Sequence, residues 1–124
     1  MSDDRTAIEA VVQTYLDGLY EGNVEKLAAA FHPTSSLTYE ENGILTPLPR
    51  DQWLEAVRNR PSPQSRGLPR HDRILQIDQA SATTAFVKLN CAIPPRFFTD
   101  YLSLLKVEGR WQVAQKVFAT ERRD

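Results

Sequence analysis

A lysine, a tyrosine and a serine brought together across one hairpin are the residues of this chain best placed to do chemistry. From Thr99 the sequence reads TDYLSLLKVEGRWQVAQKVF, two alternating runs joined at Glu108-Gly109, a good two-residue turn. Pairing outward from that turn sets Ser103 opposite Ala114, Tyr101 opposite Lys116 and Thr99 opposite Phe118. Tyr101, Ser103 and Lys116 then share a face with Leu105, Val107 and Phe118. The other face, Leu102, Leu104, Trp111, Val113 and Val117, is almost wholly apolar. Such a sheet is either half exposed to water or lines a cavity. A cavity-facing lysine is costly unless it meets an anion or gives up its charge. It would suit an acidic or carbonyl-bearing ligand, and could form a Schiff base. The same spacing also describes a cross-strand lysine that reaches solvent.

Other reactive groups are few. His71 precedes Asp72 at a strand entry, where it is either an acid–base group or part of a solvated strand end. His32, in FHP, suits the electrostatics of a helix C-terminus. A single cysteine, Cys91, excludes an internal disulfide and a cysteine-rich zinc site, and the two histidines lack a metal-binding spacing, so no metal or cofactor is expected. The 15 Lys plus Arg stand against 16 Asp plus Glu, without the basic excess that nucleic-acid binding needs. The N-terminus MSDDRTAIEA is polar and acidic, unlike a secretory signal, and no apolar run is long enough to span a bilayer. A cytoplasmic protein with no membrane partner is the expectation. The 124 residues suffice for one domain, 1–124.

The elements that must position these groups are legible in outline. Ile8, Val11, Val12, Tyr15, Leu16 and Leu19 have helical spacing, with Ser2, Asp3 and Asp4 as cap and first-turn charge, and Gly22 as the stop. Asn23 caps a shorter helix with the stripe Val24, Leu27, Ala28 and Phe31, closed by Pro33. A small hairpin follows, turned at Glu41-Asn42-Gly43. A third helix from Pro49 or Arg50 to Arg60 buries Trp53, Leu54 and Val57. The segment PSPQSRGLPR reads as a loop or lid, and Arg58, Arg60, Arg66, Arg70 and Arg73 cluster about it, either solvated or drawing anions to a nearby mouth. Strands are expected at 73–79 and 83–93, before the closing hairpin. Helices first and antiparallel strands after them make an α+β domain.

The segments YLDGLYEGNVEKLAAAFHP, RDQWLEAV and LSLLKVEGRWQVAQKVF resemble those of the nuclear-transport-factor-2-like superfamily. TDYLSLLK and QKVF bring the chain nearest to its small bacterial lumazine-binding branch. The resemblance implies a cystatin-like cone: three helices packed on a strongly bent antiparallel sheet around an internal pocket. It also implies a homodimer joined through the convex sheet face. It turns Thr99, Tyr101, Ser103, Ala114, Lys116 and Phe118 inward, with Phe86, Lys88 and Asn90 on the neighbouring strand. Tyr15 matches the pocket tyrosine of ketosteroid isomerases. Tyr39 stands where those enzymes hold a general-base aspartate, and Ser103 where they hold a second carboxylic acid. A phenol is a poor base at neutral pH, so steroid-type isomerisation is disfavoured.

The expected function is binding of a small organic molecule, aromatic or acidic. Phe31, Tyr39, Trp53, Phe86, Tyr101 and Phe118 would form the walls, and Tyr15, Asn90, Ser103 and Lys116 the polar anchors. An enzyme of the same fold, a dehydratase, isomerase or cyclase using Lys116, Tyr15, Tyr101 or His71, is the alternative. A dimeric interaction module without a ligand is the second. Leu89, Cys91, Leu102, Leu104, Trp111 and Val113 are expected to bury against a second copy. On that arrangement Lys116→Met leaves the empty protein no less stable.

Overall fold

Ile8, Val12, Tyr15, Leu16 and Leu19 form the buried stripe of α1 (Ser2–Glu21), as their spacing requires. The computed structural model describes residues 2–124, with side chains from Asp4 onward. The capping expected of Ser2 and Asp3 lies outside the described side chains. Gly22 ends the helix at φ +69°, and the Asn23 side chain accepts a bond from the Lys26 amide to cap α2 (Val24–Ala30). A Cβ on Gly18 would lie 2.9 Å from Leu27 Cδ2, so a glycine is what lets α1 and α2 approach this closely. Phe31, expected at the end of that helix, instead opens β1 (Phe31–Glu41). Asn42 and Gly43 take φ 53° and 80°, and this turn leads into β2 (Ile44–Pro49).

The third helix, α3 (Arg50–Arg58), buries Trp53, Leu54 and Val57. The loop after it is fastened to α1. The Gln64 amide donates to the Tyr20 carbonyl at 3.0 Å, and the Tyr20 hydroxyl donates to the Leu68 carbonyl at 2.7 Å. Arg70 reaches Asp17 at 3.0 Å and Asp72 at 2.8 Å. Four strands complete the chain: β3 (Arg73–Gln79), β4 (Thr84–Ile93), β5 (Arg96–Val107) and β6 (Arg110–Arg122). The strand order is β2-β1-β6-β5-β4-β3. All neighbours are antiparallel except β1 and β6, which are parallel, so the sheet is mixed rather than purely antiparallel. The result is α+β, three helices against one six-stranded sheet.

Along β4, β5 and the first part of β6 the two faces of the sheet are reversed from expectation. Leu89, Cys91, Leu102, Leu104, Trp111 and Val113 are buried in one core with Ile8, Val12, Tyr15 and Leu27, so the chain's own helices cover them, not a second copy. Tyr101 and Ser103 lie on the outer face. Tyr101 is 42% exposed and stacks on Phe86 at 5.9 Å, and Val117, expected in the apolar face, is 53% exposed.

The cause of Lys116's different placement is a β-bulge. Leu104 pairs with Val113, but Ser103 pairs with Gln115, which leaves Ala114 as the extra residue. Beyond it Leu102 faces Lys116 and Asp100 faces Phe118, one residue out of the register expected from the turn. One slip moves Lys116 to the core side.

Asp4 ties the start of α1 to the sheet. Its carboxylate accepts from Trp111 Nε1 at 3.2 Å, Lys106 Nζ at 3.1 Å and Gln79 Nε2 at 3.1 Å. The bonds from Lys106, Trp111 and Gln79 hold that carboxyl below the usual carboxylate range. Among the described residues no helix is long and apolar enough to cross a membrane.

Candidate functional site

The inward side of β5 and β6 carries two charges among apolar residues. Asp100 is fully buried and Lys116 is 5% exposed. Asp100 lies on the parity of Leu102 and Leu104, and Lys116 is turned to meet it by the bulge at Ala114. Their closest approach, Nζ to Oδ2, is 3.5 Å. Tyr15, from α1, bridges them. Its hydroxyl donates to Asp100 Oδ2 at 2.5 Å and accepts from Lys116 Nζ at 2.9 Å. Cys91 Sγ is 3.5 Å from the same oxygen, and Asp100 Oδ1 has no partner among the described residues. Burial first, and then the Asp100 charge, push the Tyr15 phenol well above its ordinary range. The same two causes push the Cys91 thiol up, away from the thiolate form.

Aromatic rings surround the ammonium. Lys116 Nζ lies 4.4 Å from the ring centre of Phe118, 5.2 Å from Tyr15, 5.6 Å from Trp53 and 6.0 Å from Phe98. Behind them Phe31 packs against Trp53 at 4.9 Å and edge-on to Tyr15 at 5.2 Å. Above this cluster is a pocket of about 280 Å³. Lys116, Trp53, Phe98 and Phe118 line it, with Leu37, Leu48 and Ile93. Tyr39 joins the wall and packs on Phe118 at 5.2 Å. Arg60 and Arg96 also border the pocket, and among the described residues neither makes an ion pair. Burial, and then the nearby Arg96 charge, lower the affinity of the Arg60 guanidinium for its proton.

Of the residues singled out from sequence, Tyr15, Phe31, Tyr39, Trp53, Lys116 and Phe118 come together around this space. Phe86, Asn90, Tyr101 and Ser103 do not, because they occupy the opposite face of the sheet. Asn90 spends its amide on Thr99 Oγ1 at 3.1 Å. His71 borders a larger cleft of about 440 Å³, which contains none of Tyr15, Asp100 and Lys116, and its exposed ring meets Phe97 edge-on at 5.2 Å. The acid beside Tyr15 is Asp100, three positions before the Ser103 at which the resemblance put a carboxylic acid. Asp100 was missed, yet it had a signal: it precedes Leu102 and Leu104 at two-residue intervals, on the most apolar face of the chain. A carboxylate there demands a buried donor or cation. Arg96 carried no comparable signal. It enters the site because the first residue of β5 borders the same pocket as Arg60, two residues past the end of α3. Among the described residues no group of three or more His, Cys, Asp or Glu is arranged to hold a metal ion.

Residues 3–119 match the sequence model of the family described as "Putative lumazine-binding". The chain belongs to this family. Its fold is that of NTF2-like proteins. One of unknown function from Shewanella baltica superimposes with a TM-score of 0.85 at 26% identity, over 98% of this chain and 97% of the other. A ketosteroid isomerase-like protein from Erwinia carotovora superimposes with a TM-score of 0.72 at 17% identity, over 95% of this chain and 96% of that one. In sequence, the aldolase FrzH of a Cladobotryum species is 24% identical over 119 residues, 94% of this chain and 91% of the relative.

Proposed function

We propose that this family member binds a small organic acid with a flat apolar body. The observation that carries the reading is the pocket of about 280 Å³, aromatic below and bordered by Arg60 and Arg96, two cations without an ion pair among the described residues, against the single carboxylate of Glu41. Such sites combine an apolar wall with a few convergent polar groups. The volume, just under the usual range of about 300–1,000 Å³ for ligand pockets, favours one or two fused rings. Lys116 already has Asp100 as its counterion, which leaves the ligand's carboxylate to the arginines.

A thermal-shift panel tests this, with benzoate, cinnamate and 2-naphthoate set against their primary amides, and with lumazine included. The acids should stabilise the protein in proportion to occupancy and the amides much less. Arg60→Gln/Arg96→Gln should erase that preference. If acids and amides shift the parent equally, the arginines do not read charge. If nothing shifts it, the pocket is not a site for such compounds.

A second reading, an enzyme of lyase or isomerase type, is favoured by the linked Tyr15, Asp100 and Lys116 and by the relative named as an aldolase.

We also propose that the outer face of the sheet joins two copies. Leu75, Tyr101, Leu105, Val107 and Val117 are all more than two-fifths exposed there, a dense apolar set for open water. Sedimentation velocity at micromolar concentration should show a dimer that Leu105→Glu breaks. A parent that sediments as a monomer ends the proposal.

A further inference from the structure

We propose that Lys116 is a carbonyl-directed amine, which joins an aldehyde or ketone ligand as a protonated Schiff base. The proposal rests on the pocket reading above and goes beyond it by making the contact covalent. Its basis is the coincidence of three features at one nitrogen. Lys116 borders the pocket although it is only 5% exposed, so a carbonyl entering the aromatic chamber meets this amine with little water about it. Its protons have a path, from Nζ to the Tyr15 hydroxyl at 2.9 Å and from that hydroxyl to Asp100 Oδ2 at 2.5 Å. The other carboxylate oxygen, Oδ1, is buried with no partner among the described residues, so its lone pairs are free to accept a proton.

The step balances within these groups. The ammonium passes one proton to Asp100, through Tyr15 or directly, and becomes the free amine. The nitrogen lone pair forms a bond to the carbonyl carbon as the C=O π bond breaks. The oxygen takes up a proton from the nitrogen, giving a neutral carbinolamine. Asp100 then returns its proton to that oxygen, the C–O bond breaks, and water leaves. The two protons lost by the ammonium depart as the hydrogens of that water. The iminium has the charge of the ammonium it replaces, so the ion pair with Asp100 and the contacts with the four rings persist. An unpaired buried lysine would gain no such continuity. The chain's other lysines differ: Lys26 and Lys106 pair with Glu21 and Asp4 at more than a third exposure, and Lys88 lies over Tyr101 on the outer face.

The test treats the full-length protein with benzaldehyde and sodium cyanoborohydride, then maps benzyl adducts by peptide mass spectrometry. Lys116 should be labelled at lower aldehyde concentration than Lys26, Lys88 and Lys106, and excess 2-naphthoate should protect it. Asp100→Asn should slow labelling of Lys116 by about 100-fold, the scale of a lost general acid–base group. Tyr15→Phe, which keeps the packed ring, should slow it as well and serves if the Asp100 variant fails to fold. Labelling confined to the exposed lysines, while naphthoate still stabilises the protein, overturns the covalent step and leaves the binding site standing. Absence of both labelling and stabilisation removes both.

Discussion

Lys116→Met should destabilise the folded protein by about 3–5 kcal/mol, the scale of losing one partner of a buried ion pair. This reverses the expectation from sequence, in which Met at this position left the empty protein no less stable. The reversal follows from Asp100. With the ammonium gone, a fully buried carboxylate keeps only the Tyr15 hydroxyl and a thiol, and Oδ1 already has no partner among the described residues. Asp100→Asn/Lys116→Met removes both charges, keeps an acceptor for Tyr15, and should recover most of the loss. Urea denaturation followed by the fluorescence of Trp53 and Trp111 measures each variant. Equal midpoints for the parent and Lys116→Met would show that water reaches Asp100. Additive losses in the double variant would show that the pair is not coupled.

Trp53→Ala is expected to cost a similar amount, about 3–5 kcal/mol, by transfer and cavity effects together. The indole is 5% exposed and packs on Phe31 at 4.9 Å and Tyr15 at 6.2 Å. It is also a wall of the pocket, so its loss leaves a void continuous with the ligand space. Trp53→Phe keeps a ring against Phe31 and should lose much less. An unchanged denaturation midpoint for the alanine variant would mean that α3 does not bury this face.

The helices were legible because each stripe is long enough to outvote a local exception. Asn23 and the Asn42-Gly43 and Glu108-Gly109 turns were legible because few residues satisfy their geometry. The parallel pairing of β1 with β6 was not, since strands far apart in sequence carry no local mark of their partner. The site was half legible for a single reason. A strict two-residue alternation outward from Glu108 holds as far as Val113 and fails at Ala114, a residue small enough to suit either face. Counting through it puts Lys116 with Tyr101. The family resemblance then turned that whole face inward, where the structure places Lys116 and Phe118 but not Tyr101, Ser103, Phe86 and Asn90. A buried charge was the available corrective, because Asp100 sits on the apolar parity of an uninterrupted strand. An acid and a base on the two strands of one hairpin satisfy each other only if the count slips by one.

The extra residue at Ala114 also bears on descent. A strand that lacked it would present its downstream half with the opposite parity, so a single codon inserted or removed exchanges every inward residue after it for an outward one. Two relatives compared along β6 without a gap would then equate a lysine in a chamber with a side chain in water, and count as one substitution what is a rotation of the whole segment. Chemistry can thus appear or vanish on this strand without any point mutation at the residue that performs it.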